Sequence, residues 1–136
     1  MKFAGRVYLI AGIVGLIEII PMYFTESLWG QMYPPLITHP EFFYGFAGVT
    51  LSWQVLFLLL SRDPVRYRPL MPATFLEKAA FVVAALVLML EQRMGTEMLG
   101  AISIDAVLGV LFVMAYVRTG VKTSGQDVPN DVAIES

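Results

Sequence analysis

The sequence contains no cysteine and a single histidine, and both shortages exclude classes of chemistry. Without cysteine there is no disulfide, thiolate metal site or thiol nucleophile, and one histidine cannot supply both axial ligands of a haem. No glycine-rich phosphate loop, serine nucleophile elbow or zinc-type histidine spacing is present. We therefore expect no metal and no cofactor.

Charge is also sparse. Only 15% of the 136 residues are charged, against about 25% in typical soluble proteins. The net charge is −2, and no basic face is evident. These features exclude a nucleic-acid partner by the usual electrostatic criterion.

Apolar residues, by contrast, make up 57% of the chain and fall in four long runs. The runs lie at about 7–24, 42–60, 75–90 and 98–117. A membrane helix needs about 20 mostly apolar residues, and in lipid each run must satisfy its own backbone hydrogen bonds. We predict an all-α, antiparallel four-helix transmembrane bundle over residues 1–120 and a disordered cytoplasmic tail at 121–136. Lys78, near the start of the third run, is expected to snorkel to the membrane interface.

The first run has an alternative interpretation as a cleaved signal peptide, with Lys2 and Arg6 as its charged start. However, Glu18 interrupts the apolar stretch and no A-x-A-like cleavage site follows it. We therefore predict that the first helix is retained.

Basic residues are distributed unevenly about the four runs. Eight of the nine flank the runs on one side: Lys2, Arg6, Arg62, Arg66, Arg68, Lys78, Arg118 and Lys122. Only Arg93 falls on the other side. The positive-inside rule then predicts that both termini are cytoplasmic and that the loop at 25–40 faces outward. We expect a multi-pass protein of a bacterial inner membrane.

Local signals mark where three helices begin or end. The segments Thr38–Glu41 and Thr74–Glu77 have the pattern of capping boxes, which open helices. Pro64 disfavours helix at the residue before it, so the second helix is predicted to end near Arg62.

Two acids lie well inside apolar runs, Glu18 in the first and Asp105 in the fourth. Glu18 shares a helix face with small residues, as does Asp105, so both are predicted to face the bundle interior. Each lies ~10 Å from the outer end of its helix, and the two could meet if the first and fourth helices are neighbours. Two close carboxylates cannot easily both ionise, so such a pair would hold a proton, a cation or an amine.

We predict that Glu18 and Asp105 belong to an outward-facing polar cavity that binds a ligand. The other predicted ligand-binding residues are His39, Glu41, Gln54, Glu91 and Arg93. Alternatively, the two intramembrane acids form a structural clasp, for example through Gln54. Intramembrane acids are functional by default, which favours the ligand site.

The segments around His39–Phe46 and Arg62–Pro69 resemble those of small bacterial membrane proteins with four helices. The size and helix count are similar to those of the DoxX-like group. Some members of that group are subunits of membrane oxidoreductases, so the resemblance implies a partner subunit. No motif of this chain carries a specific functional residue over from that group.

Three functions follow as hypotheses. The first is a membrane protein that binds a small amphipathic or cationic ligand, or a partner subunit. The second is a lipid-modifying or isomerising enzyme that uses Glu18 and Asp105 as acid and base, as sterol isomerase-type proteins use acids in an intramembrane pocket. The third is a proton-coupled transporter, which would require a homo-oligomer because four helices are few for a pore.

Overall fold

The computed structural model describes residues 2–34 and 36–123, with side chains as far as Gly120. This part of the chain contains helices and no strand. Its helices are α1 (Lys2–Met22), α2 (Glu26–Met32), α3 (Pro40–Arg62), α4 (Met71–Leu90) and α5 (Leu99–Thr123), with 3₁₀ turns at Arg68–Leu70 and Thr96–Met98. Four segments are long and apolar enough to cross a membrane, namely α1, α3, and α4 and α5 with the 3₁₀ turns that precede them. The predicted all-α bundle is confirmed; its orientation in the membrane stays a prediction.

The two ends of the bundle differ. One end carries α2 and the turn between α4 and α5, and we call it the α2 end. The other carries the starts of α1 and α4 and the ends of α3 and α5, and we call it the termini end. Because α1 runs from the termini end to the α2 end and each later long helix reverses direction, the helices alternate as predicted.

Glycines allow α1 and α3 to pack very closely. A Cβ atom added at Gly5 would lie 2.9 Å from the backbone oxygen of Ser61, and one at Gly12 would lie 2.9 Å from Leu58 Cδ2. One turn further along α1, Gly15 lies against the side-chain amide of Gln54. Small residues at such contacts are how membrane helices approach each other. We refer to this contact as the α1–α3 seam.

The remaining contacts place the helices in the spatial order α3, α1, α5, α4. α1 packs along both α3 and α5, and α4 packs along α5. The first and fourth spans, α1 and α5, are therefore neighbours. Three aromatic rings from α1, α3 and α5 pack against one another. Tyr8 stacks on Phe112 with ring centroids 4.6 Å apart, and the Phe57 centroid lies 5.0 Å from that of Phe112. These rings are almost completely buried, so Tyr8 is a core residue.

Arginines of the termini end pack on aromatic rings. The Arg68 guanidinium lies 4.0 Å from the centroid of Tyr116, and that of Arg118 lies 4.4 Å from the centroid of Phe3. Such cation–π contacts contribute about 0.5–1 kcal/mol at exposed sites. The basic residues that predict orientation therefore also brace the helix ends against each other.

The predicted helix boundaries are partly correct. α3 begins at Pro40 and ends at Arg62, as the proline signals indicate. However, the residue at its N-cap, His39, makes no capping hydrogen bond with its side chain, so the first predicted capping box is not formed. The second is also wrong, because α4 begins at Met71 with a proline in its first turn. α5 extends to Thr123, into the predicted tail; the rest of that tail, 124–136, lies outside the described residues.

Candidate functional site

A buried lysine, Lys78, lies between two acids in the middle of the bundle. The Lys78 Nζ atom is 2.9 Å from Asp105 Oδ1 and 3.3 Å from Glu77 Oε2. The lysine is only 7% exposed, whereas the side chains of Glu77 and Asp105 are 21% and 20% exposed. We refer to these three residues as the charge cluster. Asp105 therefore faces the bundle, as predicted, and its partner is an amine supplied by the chain itself.

The early start of α4 explains why Lys78 is buried. The span that contains it begins at Arg68, ten residues earlier, which corresponds to ~15 Å along a helix. The span is 23 residues long, so Lys78 lies near its middle. The prediction that Lys78 snorkels to the interface is wrong, because its ammonium is buried between Asp105 and Glu77. The predicted start of this helix, at residue 75, was also too late.

Neutral groups surround the charge cluster on its other sides. The Phe57 ring of α3 has its centroid 5.8 Å from Lys78 Nζ. One turn before Lys78, the hydroxyl of Thr74 donates to the Met71 carbonyl at 2.8 Å and lies 2.9 Å from the Tyr8 hydroxyl. The cluster is thus the charged part of a buried polar layer that connects α1, α4 and α5.

Glu18 is not part of this layer. Its side chain is exposed on α1, and within residues 2–34 and 36–120 it forms no hydrogen bond or ion pair. The prediction that Glu18 faces the bundle interior is therefore wrong. Asp105 pairs instead with Lys78. The second acid beside this lysine is Glu77, which was predicted to belong to a capping box.

The other predicted site residues fall into separate places. Glu91 accepts a hydrogen bond at 3.1 Å from Arg93 in the exposed turn between α4 and α5. His39 Nδ1 lies 3.2 Å from Glu41 Oε1 at the exposed start of α3. Gln54 is buried in the α1–α3 seam, where its Nε2 donates to a backbone carbonyl of its own helix, that of Thr50, at 3.1 Å. The structure therefore does not unite the predicted residues around one cavity, and their role in ligand binding stays a prediction.

A cavity of about 740 Å³ opens at the α2 end. One wall is aromatic and comes from α2 and the start of α3, with Trp29, Tyr33 and Phe43. The facing wall is the turn between α4 and α5, which contributes polar side chains and methionines: Gln92, Arg93, Glu97, Met94 and Met98. We call this the α2-end cavity. Of the predicted site residues, only Arg93 lines it.

Short-range contacts order the aromatic wall of the α2-end cavity. Trp29 of α2 stacks on Tyr33, the residue that follows this helix, with ring centroids 5.1 Å apart. The Tyr44 hydroxyl donates to Glu26 Oε2 at 2.9 Å, which ties α2 to α3. The sequence analysis predicted an outward loop here and missed α2. The apolar residues Leu28, Trp29, Met32 and Tyr33, which recur at spacings of three and four, are a usable signal for a short amphipathic helix.

The turn on the facing wall has a strained backbone at Gln92. Its φ is 57°, which makes it the one non-glycine residue with positive φ in the described chain. The Gln92 N–H donates to the Met89 carbonyl at 3.0 Å, and the Arg93 N–H donates to the Leu88 carbonyl at 2.9 Å. This is the Schellman pattern that ends helices, normally with glycine at the left-handed position. A polar side chain is thus retained beside the cavity at a conformational cost.

Comparison with protein-family models, with curated proteins and with solved structures found no match for this chain. The resemblance to DoxX-like proteins therefore stays a prediction. Within residues 2–34 and 36–123, no three side chains of His, Cys, Asp or Glu form a group that could hold a metal ion.

Proposed function

We propose that this multi-pass membrane protein binds a small amphipathic ligand in the α2-end cavity, which opens to the outside of the cell. The observation that carries the proposal is an aromatic wall facing a polar turn across one open cavity. The volume of about 740 Å³ lies within the range of about 300–1,000 Å³ typical of small-molecule sites. The aromatic side chains offer large contact areas at low cost in conformational entropy.

The polar side of the cavity can adapt to a ligand headgroup. Arg93 is paired with Glu91, but both side chains are more than half exposed, and exposed ion pairs contribute only about 0–1 kcal/mol. Arg93 can therefore exchange this partner for a headgroup at little cost. Glu97 offers the opposite charge on the same wall. The site thus suits a headgroup that carries hydrogen-bonding groups next to an apolar chain.

The two tryptophans allow a direct test. Trp29 lines the cavity, whereas Trp53 packs near the buried core. In a Trp53→Phe background, Trp29 fluorescence reports on the cavity alone. Single-chain amphiphiles that carry bromine, with a maltoside, trimethylammonium or sulfate head, are titrated into the protein in nanodiscs. We expect saturable quenching of Trp29, with the order of the three heads showing whether Arg93 or Glu97 dominates.

A matched pair of variants separates binding from partitioning into bulk lipid. Met94→Asp places a charge in the cavity and is expected to abolish the saturable component. Met32→Asp makes the same change on exposed α2 at the same end of the bundle, outside the cavity lining, and is expected to leave it intact. Equal, non-saturating quenching in both variants would refute the proposal. A protein that copurifies and protects Trp29 would instead identify the cavity as a subunit interface.

A further inference from the structure

The charge cluster contains more negative than positive charge. Lys78 supplies one ammonium, and Glu77 and Asp105 supply two carboxylates. The groups facing it from α1 and α3 are neutral, namely the hydroxyl pair of Tyr8 and Thr74 and the ring of Phe57. With both acids ionised, the cluster would therefore have a net charge of −1. An uncompensated charge inside a bilayer is unfavourable.

The two acids are not equivalent toward the lysine. Asp105 makes the short contact of 2.9 Å. Glu77 Oε1 accepts a long hydrogen bond of 3.4 Å. Its other oxygen, Oε2, is buried and has no hydrogen-bond partner, although it lies 3.3 Å from the ammonium. Since a buried carboxylate oxygen without a donor is unfavourable, the uncompensated charge belongs to Glu77.

We infer that the charge cluster is an intramembrane proton-binding site, in which Lys78 and Asp105 form an ion pair and Glu77 carries one exchangeable proton at neutral pH. A proton balances the charge of the cluster. A metal ion fits poorly, because no group of three acids or histidines is present in the described part of the chain. The side chains of both acids are about one-fifth exposed, so neither is sealed inside the bundle. This inference does not depend on the α2-end cavity.

Infrared spectroscopy of the protein in nanodiscs tests the inference, because the C=O stretch of a protonated carboxyl is separate from carboxylate bands and shifts in D₂O. All samples carry Glu18→Gln, so that this other intramembrane acid cannot contribute. We expect one carboxyl band at neutral pH. Glu77→Gln and Asp105→Asn should each abolish this band. In either variant the one remaining acid pairs with Lys78, so the charge is balanced without a proton. Lys78→Met should increase the band about twofold, because both acids then lack a cation.

The results that would overturn the inference are distinct. A band that persists in Asp105→Asn would show a protonated acid that is independent of the cluster's charge balance. Absence of the band in the Glu18→Gln reference, or its loss on adding sodium at constant pH, would show an ionised Glu77. Glu91→Gln, at an exposed ion pair, is the matched control and should leave the band unchanged. If Lys78→Met does not fold, Glu77→Gln and Asp105→Asn, which are nearly isosteric and neutral, still test the inference.

Discussion

The α1–α3 seam joins two of the four long helices, and the addition of a single methyl group tests how closely they pack. In Gly12→Ala, the new Cβ would lie 2.9 Å from Leu58 Cδ2 and 3.2 Å from the backbone oxygen of Gln54. The leucine can rotate away, but the backbone oxygen can yield only if α1 and α3 separate. We therefore expect the substitution to destabilise the bundle.

The change in the free energy of unfolding of Gly12→Ala is the difference between two opposing effects. Overpacking a tight contact costs about 1–3 kcal/mol, whereas replacing a helical glycine by alanine gains about 0.5–1 kcal/mol. The expected net loss in the free energy of unfolding is about 1 kcal/mol. Gly45→Ala is the matched control, because no atom lies within 4 Å of its added Cβ. That variant should be stabilised by about 0.5–1 kcal/mol.

Unfolding by SDS in mixed micelles, followed by circular dichroism, measures both variants on one scale. We expect the free energy of unfolding to change with opposite sign in the two variants, with a difference of about 2 kcal/mol between them. If Gly12→Ala and Gly45→Ala change the stability equally, α1 and α3 are not as close as the structure places them. The close packing of the α1–α3 seam would then have to be revised.

Three further predictions concern the sites themselves. Tyr8→Phe removes the hydroxyl contact with Thr74 and should lower the free energy of unfolding by about 0.6–1.7 kcal/mol, as measured by the same SDS titration. Gln92→Gly relieves the left-handed backbone and should raise the thermal stability by up to about 1 kcal/mol while weakening quenching of Trp29 by the brominated probes; a loss of stability would contradict the strain argument. Lys78→Met should cost about 3–5 kcal/mol at neutral pH, and adding Asp105→Asn should restore at least half of this, which a purely steric role of the lysine would not produce.

The sequence predicted the spans well because lipid leaves few alternatives to a helix for a long apolar run. It predicted the end of α3 from Pro64, because that constraint is local. The start of α4 was predicted too late, since Thr74 and Glu77 fit a capping pattern. The stronger signal was the proline pair Pro69 and Pro72, which suits the first turn of a helix.

The candidate site was harder to predict, because burial depends on which helices become neighbours. Pattern reading placed both Glu18 and Asp105 on faces with small residues, yet only Asp105 is covered by a neighbouring helix. The error in the start of α4 also hid Lys78, since a lysine near a helix end is expected at the interface. A mid-run lysine beside an acid is the signal that would have indicated the charge cluster.

The largest fully buried side chains all lie in the half of the bundle nearest the termini: Tyr8, Phe57, Leu60, Met71, Thr74 and Phe112. The half that contains α2 is held together by smaller and more scattered contacts. The large buried contacts between the α1–α3 hairpin and the α4–α5 hairpin are therefore concentrated at the termini end. The α2-end cavity therefore lies at the opposite end of the bundle from these contacts, whereas the charge cluster lies beside them.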